Sequence, residues 1–246
     1  MYRLLIIFMD YKIGKHNLYM YSMPLMASNM FILISSDRAL VVDPCISDEA
    51  EMLLTTGGVK ELMVILTHEH YDHISGVNRL REWLQSVYDG RFCRVFASKA
   101  CATAIPEPRG NLSEFFMAMM IKKSFEEQEL AKKIFDRDYS CSADVMFEGT
   151  MELDWEDLRI VMIETPGHSP GSICVEIYEK GKGGGLLALV TGDSLVYGNK
   201  IITRLPGGSK QIYREITKPY LESFDKDTLI LPGHGSVAKL NEFEIA

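Results

Sequence analysis

Apolar runs of four to eight residues, rich in Val, Ile and Leu and closed by Gly, Pro, Asp or Ser, recur along the chain, the signature of buried strands. The pattern predicts strands at Arg3–Phe8, Met30–Ser35, Ala39–Val42, Leu62–Leu66, Arg94–Ala97, Leu158–Ile163, Ile173–Tyr178, Leu186–Val190 and Thr228–Leu231. Helical spacing of apolar residues predicts helices at Asp48–Thr55, Val77–Gln85 and Gln211–Glu222. The class is mixed α/β, with sheets covered by helices. One stretch, 106–143, breaks the strand rhythm and predicts a helical insertion, with capping boxes at Asn111/Glu114 and Ser124/Glu127. Phe115, Phe116, Met119 and Met120 give it more apolar surface than one helix face needs, so core, lid and subunit interface all stay open as readings.

Composition narrows the function classes. With 246 residues, 47% of them hydrophobic, the chain reads as one domain spanning 1–246. Its net charge of −8, with no block of Lys or Arg, argues against nucleic acid as a partner. The apolar opening Leu4–Met9 is too short for a membrane span or a secretion signal, and no membrane partner is expected. Five cysteines at 45, 93, 101, 141 and 174, an odd number without a Cys-x-x-Cys pair, fit reduced thiols and a cytoplasmic location. A small-molecule substrate and a homo-oligomer are compatible with all of this.

The densest chemical signal is Thr67–His73, "THEHYDH", which packs His68, His70, Asp72 and His73 into six residues after a predicted strand. Imidazole and carboxylate together suit zinc, iron or manganese. Alternate residues of an extended segment face the same way, so His68 and His70 can share an ion, and a turn would bring Asp72 and His73 toward a second. His168 in "TPGHSPGS", Asp193 in "TGDS" and His234 in "LPGHGS" stand in glycine-flanked loops after predicted strands. Singly each would be unremarkable as a structural loop residue; together with the cluster they form a ligand set.

The same Gly167–Gly171 run also fits G-x-S-x-G, but a nucleophile elbow needs a helix after its serine. Here Pro170 and the alternating Ser172–Tyr178 predict a strand. The glycine run 181–185 joins two predicted strands and reads as a hairpin turn, not a phosphate loop. The sixth histidine, His16, stands in a polar context and reads as surface.

In order, "SNMFIL" (28–33), "VVDP", "THEHYDHISGV", "TPGHSPGS", "TGDS" and "LPGHGS" resemble the metallo-β-lactamase-fold superfamily of metallohydrolases, particularly its glyoxalase-II-like branch. The resemblance implies a four-layer αββα sandwich with the site along one edge between the sheets. It assigns His68, His70 and His168 to one metal and Asp72, His73 and His234 to a second, with Asp193 bridging and Asp43 supporting without ligating. Two divalent ions, zinc first with iron or manganese as alternatives, would share a hydroxide that attacks a small ester, thioester or lactone. Asp72 is the candidate catalytic group, and Tyr197 and Arg204 are candidate substrate contacts. Five neutral histidines and two aspartates against two divalent ions leave the cleft locally cationic, open to anionic substrates.

Departures from relatives refine this. Twelve residues follow His234, where glyoxalase II carries a helical substrate domain, which argues against hydroxyacylglutathione. Tyr197 is four residues after Asp193, one more than in homoserine-lactone hydrolases of this fold. True β-lactamases lack the bridging aspartate. The rival class is an oxidoreductase: persulfide dioxygenases resemble the chain but use a single iron and oxygen.

Overall fold

The computed structural model describes residues 11–88, 92–181 and 183–246. The strand expected at Arg3–Phe8 lies outside them. Seven strands form the first sheet in sequence order: β1 Tyr11–Ile13, β2 His16–Ser22, β3 Asn29–Ser35, β4 Arg38–Val42, β5 Glu61–Ile65, β6 Cys93–Ser98 and β7 Val145–Phe147. The first four run antiparallel and β4 to β7 parallel. The second sheet holds β8 Thr150–Trp155, β9 Leu158–Glu164, β10 Ile173–Glu179, β11 Leu186–Gly192, β12 Leu229–Pro232 and β13 Ala238–Lys239 in the order β13-β12-β11-β10-β9-β8. Only β11 and β12 are parallel there.

Period-two alternation explains how the sheets stack. Leu33, Leu40, Val42 and Ile65 of the first sheet meet Ile160, Met162, Ile173, Val175 and Val190 of the second in one buried layer. The opposite faces carry different residues of the same strands. Ile32, Val41, Val64 and Val95 pack under α1 (Asp48–Thr56) and α3 (Val77–Val87), while Cys174, Leu189 and Ile230 pack under Tyr213 and Leu221. The result is the four-layer αββα sandwich that the resemblance implies. Among the described residues no helix is long and apolar enough to cross a membrane.

Helix boundaries follow local chemistry. Ser47 caps α1 by accepting from the Ala50 N–H. The helix expected at Gln211–Glu222 begins at α7 (Lys210–Ile212), passes through a π turn at Tyr213–Thr217 and ends as α8 (Lys218–Glu222). Pro219, which has no N–H to offer the regular ladder, stands just beyond the widened turn. The strands on either side of 181–185, β10 and β11, pair antiparallel.

The insertion follows α4 (Lys99–Ala104) and holds α5 (Ser113–Met119) and α6 (Phe125–Ile134). Its inner face is core: Leu112, Phe116, Met120, Ala131, Phe135 and Tyr139 join the outer layer of the first sheet. Ser124 and Glu127 form the expected capping box. Asn111 does not cap through Glu114. Fully buried, it accepts from the Ser113 N–H at 2.9 Å and donates to the Ile105 and Tyr139 carbonyls at 3.0 and 2.8 Å, bracing the insertion across its base. Glu114 pairs instead with Arg109 and Arg137.

His16 also departs from its expected place. It is 4% exposed, its Nε2 lies 2.6 Å from Asp157 Oδ1, and its ring packs on Trp155. A polar sequence neighbourhood concealed a side chain that the strand alternation of β2 turns inward.

Candidate metal centre

The chemistry-bearing residues emerge where strands end. Asp43 follows β4, Thr67–His73 follows β5, His168 lies between β9 and β10, Asp193 follows β11 and His234 follows β12. His70 opens a single helical turn, α2 (Tyr71–Ile74), which carries Asp72 and His73 round to the other side. Two glycines permit the crowding. Gly167 has φ +145°, and a Cβ there would come within 2.7 Å of the Tyr213 Cα; a Cβ on Gly233 would land on Asp193 Oδ1.

Ligand atoms of His68, His70 and His168 lie within 4.8 Å of one another, and so do those of Asp72, His73 and His234. Asp193 stands between the sets, its carboxylate 3.5 Å from His168 Nε2, 3.5 Å from His73 Nε2 and 3.4 Å from His234 Nε2. Asp43, His68 and His73 converge as well. Asp43, however, has its oxygens committed: Oδ1 accepts from the Thr67 N–H at 2.7 Å, and Oδ2 accepts from Thr67 Oγ1 at 2.6 Å and from His73 Nδ1 at 2.8 Å. It therefore orients its neighbours.

These bonds also decide which imidazole nitrogen faces inward. Thr67 Oγ1 gives its one proton to Asp43, so it accepts from His68 Nδ1, 3.0 Å away, and leaves His68 Nε2 bare. The Ile202 carbonyl can only accept, so His168 Nδ1 donates to it at 2.7 Å and Nε2 is bare too. Among the described residues, buried His68 Nε2 and Asp193 Oδ1 have no hydrogen-bond partner. His168 Nε2 faces His70 Nδ1 at 3.0 Å, and His73 Nε2 faces His234 Nε2 at 3.3 Å. Bare nitrogens converging in the His68/His70/His168 set, and carboxylates gathered among the imidazoles of the other, call for positive charge between them. The donor set fits two divalent ions of the zinc, iron or manganese type.

Electrostatics divides the sets. Burial pushes His68 well below the ordinary imidazole range, His70 down to about 3, and His168 down, so all three are neutral donors. His73 is buried and His234 half-buried, but the surrounding carboxylates, led by Asp72 for His73 and Asp193 for His234, outweigh desolvation and raise them to about 9 and about 11. Asp72 and Asp193 sit below the usual carboxylate range despite burial, because of these same histidines. Carboxylates that hold protons on two imidazoles mark a place where positive charge is favoured.

Ser169 engages its hydroxyl outside the ligand sets. Its Oγ donates to buried Glu69 Oε2 at 2.9 Å and lies 2.9 Å from Ser172 Oγ, and the strand β10 follows, so no nucleophile elbow forms. Tyr197 gives its N–H to the His234 carbonyl at 3.4 Å and stacks edgewise on Phe243, while Arg204 is exposed two residues beyond Ile202. Sequence reading missed the roles of Thr67, Glu69 and Ile202. Thr67 and Glu69 lie inside the motif itself; Ile202 acts through its backbone and left no signal.

The Metallo-beta-lactamase superfamily model matches residues 23–87. A "Probable metallo-hydrolase YqgX" of Bacillus subtilis is 27% identical over 210 residues, covering 85% of each chain. A "Hydroxyacylglutathione hydrolase" of Prochlorococcus marinus is 37% identical over 65 residues, 26% of this chain and 25% of that one. In three dimensions the chain is similar to the BLEG-1 B3 metallo-beta-lactamase, with TM-score 0.69, 21% identity and coverage of 92% of this chain and 95% of that one.

Proposed function

We propose that this chain is a metallo-beta-lactamase superfamily member, on the match of residues 23–87 and the similarity to a probable metallo-hydrolase along most of its length, and that it is a binuclear metal-dependent hydrolase of a small ester, thioester or lactone. The observation that carries the reading is the pair of ligand sets joined by Asp193, with buried His68 Nε2 and Asp193 Oδ1 left without a hydrogen-bond partner among the described residues. Similarity to a metallo-hydrolase along most of the chain supports it.

His68, His70 and His168 would hold one ion, Asp72, His73 and His234 the other, with Asp193 shared. Two divalent ions supply Lewis acidity toward a carbonyl oxygen and toward water at neutral pH. The protein's part is preorganisation. Asp43 and Thr67 lock His73 and His68 in their working tautomers, and the Ile202 carbonyl does so for His168. Asp72 Oδ2, 3.4 Å from His234 Nε2, is placed to accept a proton inside the centre. Burial of His68, His70, His73 and His168 keeps bulk water from the inner face, and half-buried His234 stands at its edge. Tyr197 and Arg204 stay in this reading as substrate contacts, and the five free thiols, four of them buried, support a reducing, cytoplasmic setting.

The test is metal analysis of purified protein combined with parallel ester, thioester, lactone and phosphodiester panels on metal-replete enzyme. Two ions per chain, of which zinc is the expected kind, and one clear acyl substrate class are expected. One iron per chain with sulfide-dependent oxygen uptake would replace this reading with the persulfide dioxygenase.

A further inference from the structure

Ser28 and Asn29, where β3 begins, belong to neither ligand set, yet both are buried and both are engaged with the backbone of that centre. Ser28 Oγ donates to the backbone carbonyl of Asp72 at 2.8 Å. Asn29 spends both amide hydrogens on the His234 loop, donating to the Pro232 carbonyl at 3.0 Å and the Gly235 carbonyl at 2.8 Å. Its own N–H donates to the Gly233 carbonyl at 2.7 Å, and Ser28 pairs with His234 as an isolated antiparallel bridge. Ser22 Oγ donates to Asn29 Oδ1 at 3.0 Å, which sets the orientation of the amide.

These bonds are one-sided. They reach the loops carrying Asp72 and His234, whereas His68 and His168 are oriented by Thr67 and Ile202. Each set draws on both sheets, and each has its own ties across the sandwich: the Ile173 N–H on the Thr67 carbonyl and Ser169 Oγ on Glu69 serve the His68/His70/His168 side, whereas Ser28 and Asn29 serve the Asp72 and His234 loops. An ion would tie the two loops together once bound; Ser28 and Asn29 already tie them through the protein.

We propose that Ser28 and Asn29 are positioning residues for one ion only: they hold the Asp72 and His234 loops in register and so set the affinity of the Asp72/His73/His234 site, without contributing to His68/His70/His168. The proposal rests on the binuclear reading above. Outer residues that orient ligands typically change metal affinity about 10- to 100-fold when removed.

The test is stepwise reconstitution of metal-free protein with zinc or cobalt(II), together with hydrogen exchange on the metal-free form. Ser28→Ala and Asn29→Ala are expected to keep one ion at unchanged affinity and to weaken the other about 10- to 100-fold; Ser28→Thr, which retains the hydroxyl, is expected to restore it. In the metal-free protein, Asn29→Ala should speed exchange of the Gly233 amide, which donates to the Gly192 carbonyl, and leave that of Ile173, bonded to the Thr67 carbonyl, unchanged. Uptake of both ions as in the unmodified protein, or parallel loss of both, would overturn the proposal. Should Asn29→Ala fail to fold, Ser28→Ala and Ser28→Thr decide. If the unmodified protein takes only one ion or none, the binuclear reading fails by itself, and positioning is then judged by exchange at Gly233: acceleration supports it and no change overturns it.

Discussion

Asp43 accepts the His73 Nδ1 proton at 2.8 Å from a backbone held at φ +52°, in the left-handed region that few residues other than glycine, asparagine and aspartate tolerate. The same carboxylate takes both donors of Thr67, so one buried side chain sets the aim of His73 and, through Thr67, of His68.

Removing it should be expensive. Asp43→Ala leaves the Thr67 N–H and the His73 Nδ1–H without their buried acceptor, at about 1–3 kcal/mol for each. Loss of stability in a denaturant titration is expected together with metal affinity weakened about 10- to 100-fold. Wild-type metal affinity in a folded Asp43→Ala protein would contradict the orienting role.

In the binuclear reading proposed above, metal is required for both retention of the site and turnover. His70→Ala and Asp193→Ala should each abolish both metal retention and turnover, and exhaustive chelation of the unmodified enzyme should do the same, reversed by adding back metal. Full activity in a metal-free preparation, checked by elemental analysis, would sink the mechanism.

Ser169→Ala should leave turnover largely intact. Its hydroxyl bonds Glu69 and Ser172, and the substitution is expected to show instead as a stability loss of about 1 kcal/mol from a missing buried hydrogen bond. Insensitivity to a serine-directed fluorophosphonate is the companion measurement.

The Tyr71 hydroxyl fastens the insertion to the ligand turn, accepting from the Asp136 N–H at 2.8 Å and donating to the Ile134 carbonyl at 3.2 Å, while the Tyr71 N–H donates to the Asn111 carbonyl. Tyr71→Phe keeps the ring against Phe116, Phe135 and Tyr139 but strands the Asp136 N–H. A destabilisation of about 0.5–1.5 kcal/mol is expected, with faster hydrogen exchange concentrated in α6 and the segment after it.

His16→Ala should behave as a core lesion, lowering thermal stability through the lost contacts with Asp157 and Trp155 while leaving metal content unchanged. A change in metal content would place His16 in the centre after all.

The order and type of elements were legible from the chain because buried strands carry their own signal: apolar runs stopped by Gly, Pro and Asp, as in Arg38–Val42 before Asp43 or Leu186–Gly192 before Asp193. The residues of the centre were legible for a related reason, since polar side chains at the ends of such runs have few structural uses. Tertiary structure alone decided how they act. That Asp43 is saturated by Thr67 and His73, that Ile202 aims His168, that Asn111 braces an insertion instead of capping its helix, and that His16 lies inside all depend on contacts between segments distant in sequence. Local pattern reports what a residue is and whether its strand is buried; the partner of a buried polar atom is set by how two sheets stack, which no local spacing encodes.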